Sequence, residues 1–184
     1  MNKISNLFFI GGAKGVGKTT LTSSICLDLD LERIETGKIV FNYISNKSQI
    51  GLNDYIYNEL LNYQGEDILV DTHYSAYPHQ KGMDTSFKRG LDAKHLQDLS
   101  KKFNINLCHI ILNPNELLKR RVRDRKSRIT TLELVKEELE HNVRACQMYS
   151  QEIGKSPLII TNNKSKETRD ILKSWINTII SQQQ

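Results

Sequence analysis

From residue 12 to residue 19 the chain reads Gly12-Ala13-Lys14-Gly15-Val16-Gly17-Lys18-Thr19, a G-x-x-x-x-G-K-T spacing. These residue types at this spacing suit one chemistry, the cradling of a polyphosphate. Glycines let the backbone turn tightly enough for successive N–H groups to point at anionic oxygens. Lys18 has the reach to touch β- and γ-phosphates, and the Thr19 hydroxyl can ligate Mg²⁺. Thr20 opens a helix-like stretch through Leu27, so a helix N-terminus faces the same anion. A glycine-rich turn that binds nothing is the bland alternative. The apolar run Leu7-Phe8-Phe9-Ile10 upstream argues against it, because strand, loop, Lys-Thr and helix then fall in register. The spacing predicts a nucleoside triphosphate site with Mg²⁺.

Two further clusters carry chemistry. Asp71 ends the apolar run Ile68-Leu69-Val70, 53 residues beyond Lys18, where an acid can hold Mg²⁺ beside Thr19. His73 follows it and either touches an acceptor, orients a water or packs under the loop. Arg120, Arg121, Arg123, Arg125, Lys126 and Arg128 crowd residues 120–128. Such a run is a nucleic-acid patch, a solvated helix face or a phosphate clamp. No aromatic residue interleaves with the arginines, which argues against stacking on single-stranded bases. Beside a triphosphate site they suit charge stabilisation on a transferring phosphoryl group. His79, His95, His109 and His141 share no metal-ligand spacing and are expected to be structural.

Apolar runs alternating with helical patterns predict a parallel α/β sheet with helices on both faces. Strands are expected at about 6–10, 32–35, 67–71, 107–112 and 157–160. Helices are expected after the loop to Leu29, through Val40–Ile44, from Asn53 or Asp54 onward, at 93–103, after Pro114, after a Thr130/Glu133 capping box, and around Ile171, Leu172, Trp175 and Ile179. Residues 72–90 show no period, and such a loop tends to carry function. Glycine or proline at 51, 65, 114, 154 and 157 punctuates these elements.

Composition sets outer bounds. A chain of 184 residues with 38% hydrophobic and 26% charged residues is long enough for one domain with a proper core. No apolar run is long enough to cross a bilayer, and strand one begins too soon after Met1 to leave room for a signal peptide. Cys26, Cys108 and Cys146 are an odd, widely spaced set, so a reducing cytoplasm is expected.

With the loop, Asp71-Thr72-His73 and the arginine run in place, the chain resembles P-loop nucleoside monophosphate kinases, above all the archaeal-type adenylate kinases and their nuclear eukaryotic relatives. The likeness continues through Leu112-Asn113-Pro114, Leu117 to Asp124, Asn142-Val143-Arg144-Ala145 and Thr161-Asn162-Asn163. It implies a three-layer sandwich on a five-stranded parallel sheet of order 2-3-1-4-5. It also implies an acceptor lobe at about 36–64 and a short arginine-rich lid at about 120–131. Arg121, Arg123 and Arg128 would close over the phosphates, with Arg144 reaching them from the long helix. Asn162 would border the adenine. Thr36, Gly37 and Lys38 would stand at the acceptor, since Glu35-Thr36-Gly37-Lys38 resembles the family's Ser-Thr-Gly-Asp turn, and His73 and Arg89 are placed with them. One departure is plain: no arginine occurs between Arg33 and Arg89. A monophosphate dianion favours a guanidinium fork, and only Lys38, Lys47, Lys81 or Arg89 stand in for it.

The expected activity is phosphoryl transfer from ATP to a small acceptor, a nucleoside monophosphate before others. A nucleoside, a sugar or a polynucleotide 5′ end is the neighbouring alternative. A slow ATPase acting as a nucleotide-dependent switch or assembly factor is the third, with Tyr74-Ser75-Ala76-Tyr77-Pro78-His79 as its partner-facing surface.

Overall fold

Four consecutive apolar side chains, Leu7, Phe8, Phe9 and Ile10, point alternately to opposite faces, and all four are buried. Such a strand needs a layer on each side. The computed structural model describes residues 4–64, 66–76, 88–124 and 131–183, with the backbone alone at 76, 88 and 89. In chain order the elements are β1 (Asn6–Gly11), α1 (Lys18–Leu29), β2 (Glu32–Glu35), α2 (Thr36–Ser45), α3 (Leu52–Leu61), β3 (Ile68–Asp71), β4 (Ser75–Ala76), β5 (Lys88–Arg89), α4 (Ala93–Lys102), β6 (Asn104–Ile111), α5 (Pro114–Arg123), α6 (Leu132–Ile153), β7 (Leu158–Thr161) and α7 (Ser165–Ser181). Five strands form a parallel sheet in the order β2-β3-β1-β6-β7. Numbered among themselves these run 2-3-1-4-5, as expected. The two-residue strands β4 and β5 pair antiparallel.

The pleat sorts the core. Leu7, Phe9, Ile68, Val70, Ile105 and Leu107 pack under α2, α3 and α4, whereas Phe8, Ile10, Leu69, Cys108 and Ile110 pack under α1, α5 and α7. Helix α6 serves both layers: Val135 and Leu139 join the second cluster, and Ala145, Cys146 and Tyr149 the first. Each fully buried large apolar side chain contributes about 1.5–3 kcal/mol.

Register then sets the site. Ile10 pairs with Asp71, and Glu35 pairs with the same residue from the other side. Glycine loop, Asp71 and Thr36 therefore leave the sheet together at its C-terminal edge, the end where open α/β sheets bind ligands.

Two element boundaries, and the buried face of one helix, deserve comparison with the expectation. Strand β6 begins at Asn104 rather than Leu107, because Ile105 is buried while the Asn104 and Asn106 side-chain amides donate to Asn6 Oδ1. Helix α6 is capped by Thr131, whose hydroxyl accepts from Leu134 N at 3.4 Å, so the Thr130 cap shifts by one residue. On α7, Ile171 is exposed and Ile176 takes the buried place. Residues 125–130 of the expected lid at 120–131 lie outside the described residues. No helix among the described residues is long and apolar enough to cross a membrane. Cys26, Cys108 and Cys146 are buried and unbridged, and burial pushes the Cys26 and Cys146 thiols up to about 11.

Candidate active site

The glycine loop is held in a shape that other residues could not adopt. Gly12 has φ 145°, and a Cβ there would lie 2.3 Å from the Ile110 carbonyl oxygen. Gly17 has φ 101°, and its Cβ would press the Asn162 amide at 2.7 Å. Ala13 and Val16 turn inward and are fully buried, anchoring the loop in the core. Its peptide groups face a cavity of about 300 Å³ lined by Lys14, Gly15, Gly17, Lys18, Thr19, Thr20, Asp71, His73 and Asp124.

Lys18 is buried and donates from Nζ to the carbonyls of Gly12 (2.7 Å) and Ala13 (3.0 Å). Its Nζ also lies 3.2 Å from His73 Nδ1, which in turn sits 2.7 Å from Gly12 O. The Gly12 carbonyl can only accept and the Lys18 ammonium can only donate, so Nδ1 serves the first when protonated and the second when not. Thr19 Oγ1 donates to Asp71 Oδ2 at 2.8 Å, and Thr22 Oγ1 approaches the same oxygen at 3.4 Å. Two hard oxygen groups thus meet at the helix N-terminus, a donor set that fits Mg²⁺.

Behind the loop stands a buried ion pair. Arg121 is 2% exposed and forks onto Lys14 O through Nε (3.0 Å) and Nη2 (2.7 Å). The same Nη2 meets Glu138 Oε2 at 2.8 Å, and Glu138 Oε1 accepts from Lys14 N at 2.9 Å. Both halves of the Lys14 backbone are therefore clamped between α5 and α6. One turn further along α6, Asn142 exchanges hydrogen bonds with the backbone of Ser75 (3.4 and 3.0 Å). On the other flank Arg120 donates to Val16 O and Asn162 O, both at 3.3 Å, while Asn162 Nδ2 donates to Val16 O at 2.7 Å.

A second cavity, of about 960 Å³, opens beside the first and shares Lys14 and His73 with it. Thr36 and Gly37 line it. Thr36 is buried and donates to Asp71 O or Thr72 Oγ1. Lys38 is not among the residues lining this cavity and pairs with Glu35 Oε1 at 2.8 Å, holding the Glu35 carboxyl below its ordinary range. Arg123 is exposed on the last turn of α5. Arg144, also exposed, pairs with Glu140 at 3.6 Å and does not line the cavity at the glycine loop. Arg128 and the Arg89 side chain lie outside the described residues.

The Tyr74–His79 stretch does not start as a partner-facing surface. Tyr74 is fully buried, its hydroxyl lying 3.0 Å from Phe9 O and 2.9 Å from Cys108 O. Its ring stacks on His109 at 5.6 Å, and burial drives its pKa well above the ordinary value. Ser75 is buried too, and residues 77–79 lie outside the described residues.

Sequence reasoning missed Glu138 and the supporting role of Arg120, and it quoted Asn142 and Asp124 within the stretches that carry the resemblance without giving either a role. The signal for Glu138 and Asn142 was available: both fall inside the apolar stripe of α6, where a polar residue needs a buried partner. Asp124 gives no such signal.

No protein-family model matches the chain, and no curated protein matches its sequence. Solved structures do. A shikimate kinase from Bacteroides thetaiotaomicron superposes with TM-score 0.55 at 13% identity, covering 94% of this chain and 98% of that one. A gluconokinase from Sinorhizobium meliloti gives TM-score 0.55 at 11% identity over 97% and 95%. The fold is that of the P-loop kinases. The YorR protein from Bacillus subtilis, solved in complex with phosphorylated GDP, has the same fold at TM-score 0.60 and 15% identity over 96% of both chains. At these identities the likeness concerns the fold; the chemistry has to come from the site.

Proposed function

We propose that this protein transfers the γ-phosphoryl group of ATP to a small-molecule acceptor. One observation carries the reading: the phosphate cavity and a larger cavity meet at Lys14 and His73, so a triphosphate and an acceptor can lie end to end. The similar kinase structures support it.

Loop N–H groups and the α1 N-terminus bind the phosphates. Rotation about its outer torsions carries Lys18 Nζ from the Gly12 and Ala13 carbonyls onto the β- and γ-oxygens. Thr19 and Asp71 are the groups that would hold Mg²⁺, which neutralises phosphate charge when bound with ATP. Arg123 and Arg128 are the cations proposed to add charge stabilisation as the phosphoryl group moves. Arg121 acts at one remove, by fixing the Lys14 backbone. Little covalent work is left for the protein, since phosphoryl transfer is mostly positioning and electrostatics.

The motif resemblance points to a nucleoside monophosphate as acceptor. A second reading, an acceptor without a phosphate, is favoured by the described wall of the larger cavity. It contributes Asp54, Asp92 and His95, with Lys14 its sole Lys or Arg among the described residues. Incubating the protein with Mg-ATP and AMP, CMP, UMP, GMP or dTMP, followed by chromatography, tests the proposal. Product formation that vanishes in Lys18→Ala is the expected result. The same slow ADP release with every acceptor tried, monophosphates and neutral hydroxyl compounds alike, would overturn it in favour of a switch.

A further inference from the structure

The larger cavity has a polar corner made from distant parts of the chain. His95, near the start of α4, is 7% exposed and stacks on Tyr57 of α3, ring centroids 4.6 Å apart. Its Nε2 lies 3.1 Å from Asp54 Oδ1. Its Nδ1 is buried and has no hydrogen-bond partner among the described residues, although Asp92 Oδ1 lies 3.1 Å away. That oxygen already caps α4 by accepting from His95 N at 2.9 Å. Asp54, Asp92 and His95 all line the cavity, whose other walls include Phe9, Val40, Ile56 and Leu91.

A carboxylate can only accept hydrogen bonds. His95 has a carboxylate oxygen 3.1 Å from each ring nitrogen, so it positions the two acids, whose side chains are 60% and 55% exposed and keep oxygens for a ligand. The corner therefore asks its ligand for donors, O–H or N–H groups, and repels an anion. The apolar wall opposite asks for a flat or hydrocarbon body.

We infer that the acceptor is an uncharged, hydroxyl-bearing molecule of nucleoside type, held through its hydroxyl groups by Asp54 and Asp92, which His95 positions. Its body rests on the apolar wall, and one hydroxyl reaches toward His73 at the junction with the phosphate cavity. This inference rests on the phosphotransfer reading above. The acceptor oxygen forms the new bond to the γ-phosphorus, the bond from that phosphorus to the β,γ-bridging oxygen breaks, and ADP leaves with the electron pair. The hydroxyl proton passes to solvent, and the product is a phosphate monoester.

The test pairs each nucleoside with its 5′-monophosphate in the presence of Mg-ATP, using the full chain, and adds ribose and glycerol as hydroxyl controls. Calorimetric titration with ATP alone is run alongside. Phosphorylation of a nucleoside, with its KM raised at least tenfold in Asp54→Asn and Asp92→Asn but unmoved in Asp98→Asn, a half-buried acid of α4 that does not line the cavity, is expected. Conversion of a monophosphate to its diphosphate while all nucleosides stay unchanged would overturn the inference and leave the kinase reading standing. Transfer to no hydroxyl compound would overturn it as well. Failure of ATP to bind at all would instead remove the phosphotransfer reading beneath it. Should Asp54→Asn unfold, His95→Gln supplies the same KM comparison.

Discussion

Removing the Arg121–Glu138 pair one partner at a time separates what it does for the fold from what it does for the nucleotide. Both side chains are buried, at 1% and 3% exposure. Arg121→Met leaves the Glu138 carboxylate in the interior without its counter-charge. Loss of one member of a buried pair costs about 3–5 kcal/mol. For a chain of this length each kcal/mol moves Tm by about 2–4 °C, so a fall of about 6–20 °C is expected. Glu138→Leu should behave alike. The double variant Arg121→Met/Glu138→Leu removes both charges and should recover most of the lost stability. It does not restore the hydrogen bonds from Arg121 to Lys14 O or from Lys14 N to Glu138. At about 1 kcal/mol for each bond that positions the loop, ATP affinity should fall about ten- to a hundredfold. Thermal unfolding followed by circular dichroism and calorimetric ATP titration read the two effects separately. A double variant that is stable and binds ATP with parental affinity would refute the clamp.

Three other outcomes are expected. Lys18→Ala should lower turnover at least a hundredfold while the circular dichroism spectrum stays unchanged; retained turnover would remove the glycine loop from the chemistry. Arg123→Ala should reduce kcat by about tenfold or more and shift ATP affinity little, as for a group that acts in the transition state; a pure binding defect would contradict that role. His109 is buried beside Lys18, and desolvation, then that positive charge, lower its pKa from 6.5 to about 4. Its folded pKa lies below its unfolded one, so its contribution is full above pH 6.5 and is lost as pH falls toward 4. Urea unfolding should therefore show a loss of about 2 kcal/mol between pH 7 and pH 5, which His109→Phe flattens; identical pH dependence in the variant would exclude His109 as its source.

Local chemistry was readable from the sequence, and long-range chemistry was not. The glycine loop is a contiguous string, and Asp71 terminates an apolar run whose pairing beside β1 follows from fold class alone. The sheet order came through the family likeness, and the sheet has it. Arg121 shows the limit. Within the run 120–128 it reads as one more cation, yet it lies four residues after Leu117, on the buried side of α5. A count of charges hides that phase; the helical period reveals it. The corner at His95 was out of reach, because Asp54 and His95 are 41 residues apart and meet only once α3 and α4 pack.

Gly11 and Tyr74 behave as one position in evolutionary terms. A Cβ on Gly11 would fall 2.1 Å from the Tyr74 ring, which already occupies the space under the loop and ties β1 to β6 through its hydroxyl. Among descendants of this chain, a side chain at position 11 is open only to lineages that have first given up the aromatic ring at position 74. Those lineages must find another way to close the gap beneath the phosphate loop. The two sites should therefore covary as tightly as a base pair, although neither touches a nucleotide.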